Sequence, residues 1–176
     1  MWRVIPNNSP ERGPLFPDRC QSVAFKIVLT AQPRHSDPMK TPLIDNLQYA
    51  NFSPAIFRQM REGGVDAVHV TIAYHESFRE MVLNLERWNR WFEDHPDLIF
   101  KGTTAADVTL AQESGRTAIF FGFQNPSPIE DDIGLVEICH QLGIRFMQLT
   151  YNNQSLLATG CYEDDDTGLT RMGREV

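Results

Sequence analysis

No uninterrupted apolar run in the 176 residues approaches the ~18 needed to cross a bilayer as a helix, so neither a spanning helix nor a membrane partner is expected. Basic side chains are scarce: 16 Lys and Arg stand against 23 Asp and Glu, a formal charge of −7. Without a Lys/Arg stripe to neutralise phosphates, nucleic acid is an unsuitable partner. Cysteine is rarer still. Cys20, Cys139 and Cys161 are odd in number, widely separated and form no Cys-x-x-Cys pair. That argues against a disulfide scaffold or a cysteine-rich zinc site, and it fits a reducing, cytoplasmic setting. No Gly-x-Gly-x-x-Gly or Walker-type loop follows any apolar run, which weakens a nucleotide-binding reading. What is left is an ordinary globular composition, 41% apolar and 22% charged, on a chain long enough to bury a core.

Proline and charge are unevenly placed. Residues 1–38 hold six of the 11 prolines and carry five basic against three acidic side chains, whereas residues 39–176 carry eleven against twenty. The first segment is expected to be a disordered or non-native extension in which only residues 23–29 suit an ordered element. That stretch is short, carries Lys26 and lacks the basic lead of a signal peptide. Met39 is a candidate natural start, because Met39-Lys40-Thr41-Pro42 leads directly into the first strand.

From residue 43 onward, short strands and helices alternate. Residues 43–45 form a brief strand. Ser53-Pro54 offers an N-cap and a first-turn proline for a helix through Glu62, which Gly63-Gly64 ends. Residues 65–72 are β-prone. Residues 76–94 repeat Phe78, Met81, Val82, Leu85, Trp88 and Phe92 at helical spacing and stop before Pro96. A strand at 98–100 and a helix at 104–114 follow, the latter ended by Gly115. Residues 117–123 are nearly all apolar, as in a parallel strand buried on both faces. Ile133, Val136, Cys139 and Leu142 mark another helix, Gly143 ends it, and a strand runs from 144 to 150. About five strand–helix units with short links predict an α/β fold with parallel strands. The pattern alone fits either an open doubly wound sheet or part of a closed barrel.

Three stretches are specific enough to suggest a relationship: Gly122-Phe123-Gln124-Asn125 after an apolar strand, LGIRFMQLTYNN at 142–153, and TGLTRMGREV at 167–176. In this order they resemble the membrane (renal-type) dipeptidase family of zinc metallopeptidases over roughly residues 43–176. The resemblance implies a (β/α)8 barrel with a two-metal site at the C-terminal ends of its strands. It also implies that the chain is the N-terminal part of a longer barrel, since a whole one takes ~250 residues and the family's remaining ligand-bearing strands would follow Val176.

The site positions depart from the family. Its His-x-Asp pair on the first strand would set two ligands on one face, but Asp45-Asn46-Leu47-Gln48-Tyr49 places Leu47 and Tyr49 there. The bridging Glu is matched by Gln124, whose amide brings no charge to separate two cations. The substrate-contacting His of the family's Leu-Thr-His-Asn pattern is matched by Tyr151. These matches make Tyr49, Gln124, Tyr151 and Asn152 the candidate substrate-binding residues and leave the chain without an assigned metal ligand or catalytic residue.

Other reactive side chains have plainer readings. His69 alternates with Val68 and Val70 and suits a satisfied interior or interface histidine. His75-Glu76 suits a helix cap, and His140 a surface position. Residues 163–166 lack the spacing of a calcium loop and suit a solvated turn. Asn125-Pro126-Ser127-Pro128 suits a rigid turn without a base for Ser127, and Cys139 suits a core position. Three functions stay open: a dipeptide or amide hydrolase by metal-bound hydroxide, a metal-poor relative that binds a small molecule in the barrel mouth, or a truncated product without independent function. A dipeptide-like small molecule is the expected partner, self-association is compatible with the pattern, and the family's zinc is not expected to be held by this chain alone.

Overall fold

The computed structural model describes residues 41–176. The expectations for residues 1–38 and for a start at Met39 lie outside the described residues. In chain order the elements are β1 (Ile44–Gln48), α1 (Pro54–Glu62), β2 (Ala67–Ala73), α2 (Phe78–Asp94), β3 (Ile99–Lys101), α3 (Ala105–Ser114), β4 (Thr117–Phe123), α4 (Gly134–Leu142), β5 (Ile144–Met147) and α5 (Arg171–Glu175).

Local chemistry sets the helix ends. The Ser53 hydroxyl caps α1 by accepting Ile56 N, with Pro54 in the first turn. Ser77 and Glu80 form a reciprocal capping box on α2, and Thr104 and Asp107 form one on α3. Gly115 and Gly143 stop α3 and α4 with φ of 66° and 102°, a region costly for residues with a Cβ. Ser127–Ile129 winds into one 3-10 turn, the rigid link expected there.

Several features differ from the sequence pattern. β1 runs from Ile44 to Gln48 rather than over 43–45, because Leu43 is held by Asp66: its N–H donates to the carboxylate at 2.9 Å and its carbonyl accepts Asp66 N at 2.9 Å. β5 ends at Met147 rather than 150. Its partner β4 stops at Phe123, whose carbonyl takes Gln148 N as the last contact of the ladder. Val82 lies at the edge of the α2 stripe and is 38% exposed, whereas Met81, Leu85 and Trp88 are buried. The five-residue α5 was not expected; Thr170 caps it, and it is too short to show a periodicity.

The strands are parallel but not in sequence order. β2 lies between β1 and β4, while β3 and β5 share the far edge of β4, β3 along 117–119 and β5 along 121–123. Crossovers between parallel strands are almost always right-handed, and that rule places the helices. The steps β1 to β2, β2 to β3 and β4 to β5 all cross the sheet in one direction, which puts α1, α2 and α4 on one face. The step from β3 back to β4 reverses, which puts α3 on the other.

The two cores show this division. Val68, Val70, Ile72, Ile119, Phe121 and Phe123 pack with Phe57 of α1, Met81, Leu85 and Trp88 of α2, and Cys139 of α4. The alternate residues Ala67 and Ala118 pack instead with Ala111 of α3, beside Phe100, Val108 and Phe120. Aromatic rings fill the larger core: Trp88 meets Phe52, Trp91 and Phe121 edge-on at 4.7–5.6 Å between centroids. Where β3 and β5 meet on the edge of β4, Lys101 donates to Leu142 O at 2.7 Å and Arg145 to His140 O at 2.8 Å. Both cations thereby satisfy the C-terminal carbonyls of α4.

Where α3 meets the sheet most closely, Ala111 is fully buried against Ala67 and Ala118, and the contact has no room for a larger side chain there. Ala111→Leu should cost about 1–3 kcal/mol through overpacking, read as a lower midpoint in urea, whereas Leu110→Ala on the exposed side of the same helix should stay within ~0.5 kcal/mol. Equal effects from both substitutions would place α3 elsewhere.

Candidate functional site

The C-terminal strand ends carry a polar cluster built around Tyr74. Asn125 Nδ2 donates to the Tyr74 carbonyl at 2.7 Å, and Asn152 Nδ2 to the Tyr74 hydroxyl at 3.0 Å. The Tyr74 ring stands 6.0 Å from that of Tyr49 and 5.7 Å from that of Tyr151, with the His75 ring edge-on at 4.2 Å. The Glu76 carboxylate accepts the backbone N–H groups of Tyr74 and His75 and pins the turn after β2. Of the residues singled out in the sequence, Tyr49, Tyr151 and Asn152 therefore converge. Tyr49 is largely solvent-exposed at 72%.

Gln124 sits deeper. It is buried, its N–H donates to Ala73 O at 3.0 Å, and its side-chain Nε2 donates to Thr71 Oγ1 at 3.0 Å. Tyr74 had no signal in the sequence beyond following an apolar strand, yet it is the residue to which the others attach.

Below this layer His69 lies on the α3 face of β2. Its Nδ1 is 2.7 Å from Asn46 O, and since a carbonyl only accepts, Nδ1 carries the proton in the neutral ring. The buried Nε2 has no partner. The expected interior histidine is thus satisfied at one nitrogen only. Its ring stacks on Phe146 at 4.4 Å and lies over Gly122, where a Cβ would collide with Nε2. Burial pushes its pKa below the usual value, opposed by the Asn46 hydrogen bond and the Asp45 charge.

The donor set does not suit zinc. Leu47 offers no lone pair, and the amide of Gln124 is neutral and already engaged with Thr71. Among the described residues no three His, Cys, Asp or Glu side chains converge. His140 and residues 163–166 are exposed, with Glu163 and Asp166 bonding Gln154 N and Gly168 N. Burial raises the Cys139 thiol to about 11, as suits an unreactive core position. Two cavities open beside the cluster. One of about 330 Å³ lies between residues 49–52 and α2, with Arg87 and Trp91 in its wall. One of about 290 Å³ lies between residues 125–130 and 153–157.

Parallel strands alternating with helices define an α/β fold, and its polar side chains gather at the C-terminal strand ends, where barrel proteins place their sites. The chain belongs to the membrane dipeptidase family (peptidase family M19), whose model matches residues 38–176. This is a family of metallopeptidases. An amidohydrolase from Pseudomonas aeruginosa is 40% identical with a TM-score of 0.72, over 76% of this chain and 41% of that one. A metallo peptidase from Rhodobacter sphaeroides, liganded with a phosphinate mimic of the dipeptide L-Ala-D-Ala, shares the fold at a TM-score of 0.60 and 16% identity, over 76% of this chain and 54% of that one. Dipeptidase ataJ of Aspergillus terreus is 30% identical over 84 residues, which is 47% of this chain and 20% of that protein. The chain thus spans between 20% and 54% of the length of these relatives.

His69 should make stability pH-dependent. Its pKa is lowered in the folded state, so the unfolded chain binds the proton more readily between that lowered value and ~6.5. Stability is full above ~6.5 and falls as pH drops through this window. Thermal melts of His69→Gln should lose less between pH 7 and pH 5 than those of the unaltered chain. Gly122→Ala should destabilise by about 1–3 kcal/mol; the part due to His69 should vanish in the His69→Ala background, as a double-mutant cycle would show, while the part due to Phe146 Cβ, 2.8 Å from the added methyl, should remain.

Proposed function

We propose that this chain supplies the neutral, hydrogen-bonding wall of a small-molecule site in a dipeptidase-family protein, with dipeptide-like amides as the ligand class. Tyr49, Gln124, Tyr151 and Asn152 are its ligand contacts, Gln124 held by Thr71 and the other three gathered at Tyr74. The observation that carries this reading is the 3.0 Å bond from the Gln124 amide to Thr71. It stabilises an uncharged group at the position resembling the family's bridging carboxylate. Phenols and carboxamides exchange hydrogen bonds with amide and carboxylate groups without requiring a counter-charge.

Zinc, the metal implied by the family, needs imidazole, carboxylate or thiolate donors. Leu47, Tyr49 and Gln124 provide none of these, so hydrolysis is not assigned to the described residues. A cytoplasmic location belongs to the same proposal and is supported by the unpaired, buried Cys139.

The purified full chain should retain well under one equivalent of zinc after dialysis, measured by elemental analysis. Leu47→His with Tyr49→Asp should raise zinc affinity by restoring a same-face donor pair on the first strand. Adding Gln124→Glu should raise it again by supplying charge. Stoichiometric zinc in the unaltered chain, lost in His69→Ala or His75→Ala, would refute the proposal and locate a different metal site.

A further inference from the structure

β1 and β2 change register partway along. Ile44 and Asp45 lie opposite Ala67 and Val68, but Gln48 lies opposite Val70, so Asn46 and Leu47 of β1 share the single residue His69 of β2. Such a β-bulge is a device found beside functional sites, where it re-aims a side chain. Slipping a strand by one residue exchanges its two faces. The extra residue therefore decides on which side of the sheet the end of β1 emerges with Tyr49, whose ring stands 6.0 Å from that of Tyr74.

Side chains secure this bulge. Asp45 accepts Leu47 N at 3.3 Å and the Gln48 amide at 2.8 Å, which ties β1 to itself. His69 ties it to β2, with Nδ1 donating to Asn46 O at 2.7 Å. Its other nitrogen, Nε2, is buried without a partner, over Gly122 and beside the stacked Phe146 ring. A neutral ring leaves only a lone pair unmet there. An imidazolium would bury a second N–H with nothing to accept it. The surroundings offer no relief: β4 presents Phe120 and Gly122, β5 presents Phe146, and α3 packs on the same face with Val108 and Ala111. Asp45 is the one charged side chain whose field acts on the ring among the described residues, and it opposes the effect of burial without cancelling it.

We infer that His69 is a positioning residue for Tyr49: its neutral imidazole stands in for a rung of the β1–β2 ladder at the bulge, and protonation releases the end of β1. This rests on the proposed place of Tyr49 in the wall and gives that wall a proton-controlled support. Above ~6.5 the ring is neutral and the bulge is held. As pH falls below that value, a released ring binds the proton more readily than the docked one, so the released state gains population.

The test is amide hydrogen exchange of the full chain at about pH 7.5 and about pH 5.5, corrected for intrinsic rates, with β4 as the internal reference for global opening. Protection of residues 44–49 relative to β4 should fall about threefold or more at the lower pH, and nuclear Overhauser contacts between the Tyr49 and Tyr74 rings should weaken with it. His69→Asn places an amide donor where Nδ1 lies and does not titrate; it should keep protection and ring contacts at both pH values. His69→Ala should show low protection at both, and His75→Asn, beside Tyr74, should leave the fall unchanged. The inference is overturned if residues 44–49 keep their protection at the lower pH, if β4 loses protection in step, or if the ring contacts persist while protection falls. It is equally overturned if His69→Asn responds to pH like the unaltered chain, or if the fall disappears with His75 instead. Both readouts are taken without ligand, so they judge the rung, whereas dipeptide binding judges the wall.

Discussion

The parallel pairing of β2 with β4 governs this structure. Seven-residue strands lie side by side from Ala67 opposite Ala118 to Ala73 opposite Phe123, and their two faces differ in size. One presents Val68, Val70, Ile72, Ile119, Phe121 and Phe123; the other presents the small Ala67, Ala118 and Gly122 beside His69, Thr71 and Phe120. Large side chains recruit the amphipathic helices α1, α2 and α4, where burial of each aromatic or branched residue stabilises by roughly 1.5–3 kcal/mol. Small ones admit α3 at close range and leave the space over Gly122 that the His69 ring occupies. Since β3 cannot insert into this pair, it takes the outer edge of β4, and right-handed connection then dictates the face of every helix.

The same pairing builds the candidate site. β2 and β4 end next to each other, so Ala73 receives Gln124 N and Tyr74 receives the Asn125 side chain. β5 ends one strand over and delivers Tyr151 and Asn152 to the Tyr74 ring and hydroxyl. The result is a cluster of phenols and carboxamides at the C-terminal strand ends, joined by hydrogen bonds between neutral groups.

Much of the fold was legible because its signals are local. The β4 boundaries, the helix caps at Ser53 and Gly143, and the stripe of Met81, Leu85 and Trp88 follow from φ preferences, capping and helical periodicity. Boundaries that shifted did so through partners remote in sequence: Asp66 holds Leu43 out of β1, and the end of β4 removes the ladder that β5 needed to continue. Within the site, Tyr49, Gln124, Tyr151 and Asn152 could be named from matched motifs, but that Gln124 turns to Thr71 while the other three gather at Tyr74 could not. The bulge at Asn46 and Leu47 and the unpartnered His69 Nε2 likewise have no sequence signal, since both are properties of packed strands.

By itself, the sequence determined the alternation of parallel strands and helices, the family, and the uncharged side chains of Leu47, Tyr49 and Gln124. Those depend on residue identity and on periodicities of two and 3.6 residues, which survive without knowledge of any long-range contact. Only the tertiary structure decided which strands are neighbours, on which face α3 lies, and which polar atoms find partners. Strand order depends on competition among edges that the chain can compare only once folded. Whether a buried hydroxyl or imidazole nitrogen is satisfied depends on what other segments bring within about 3 Å of it.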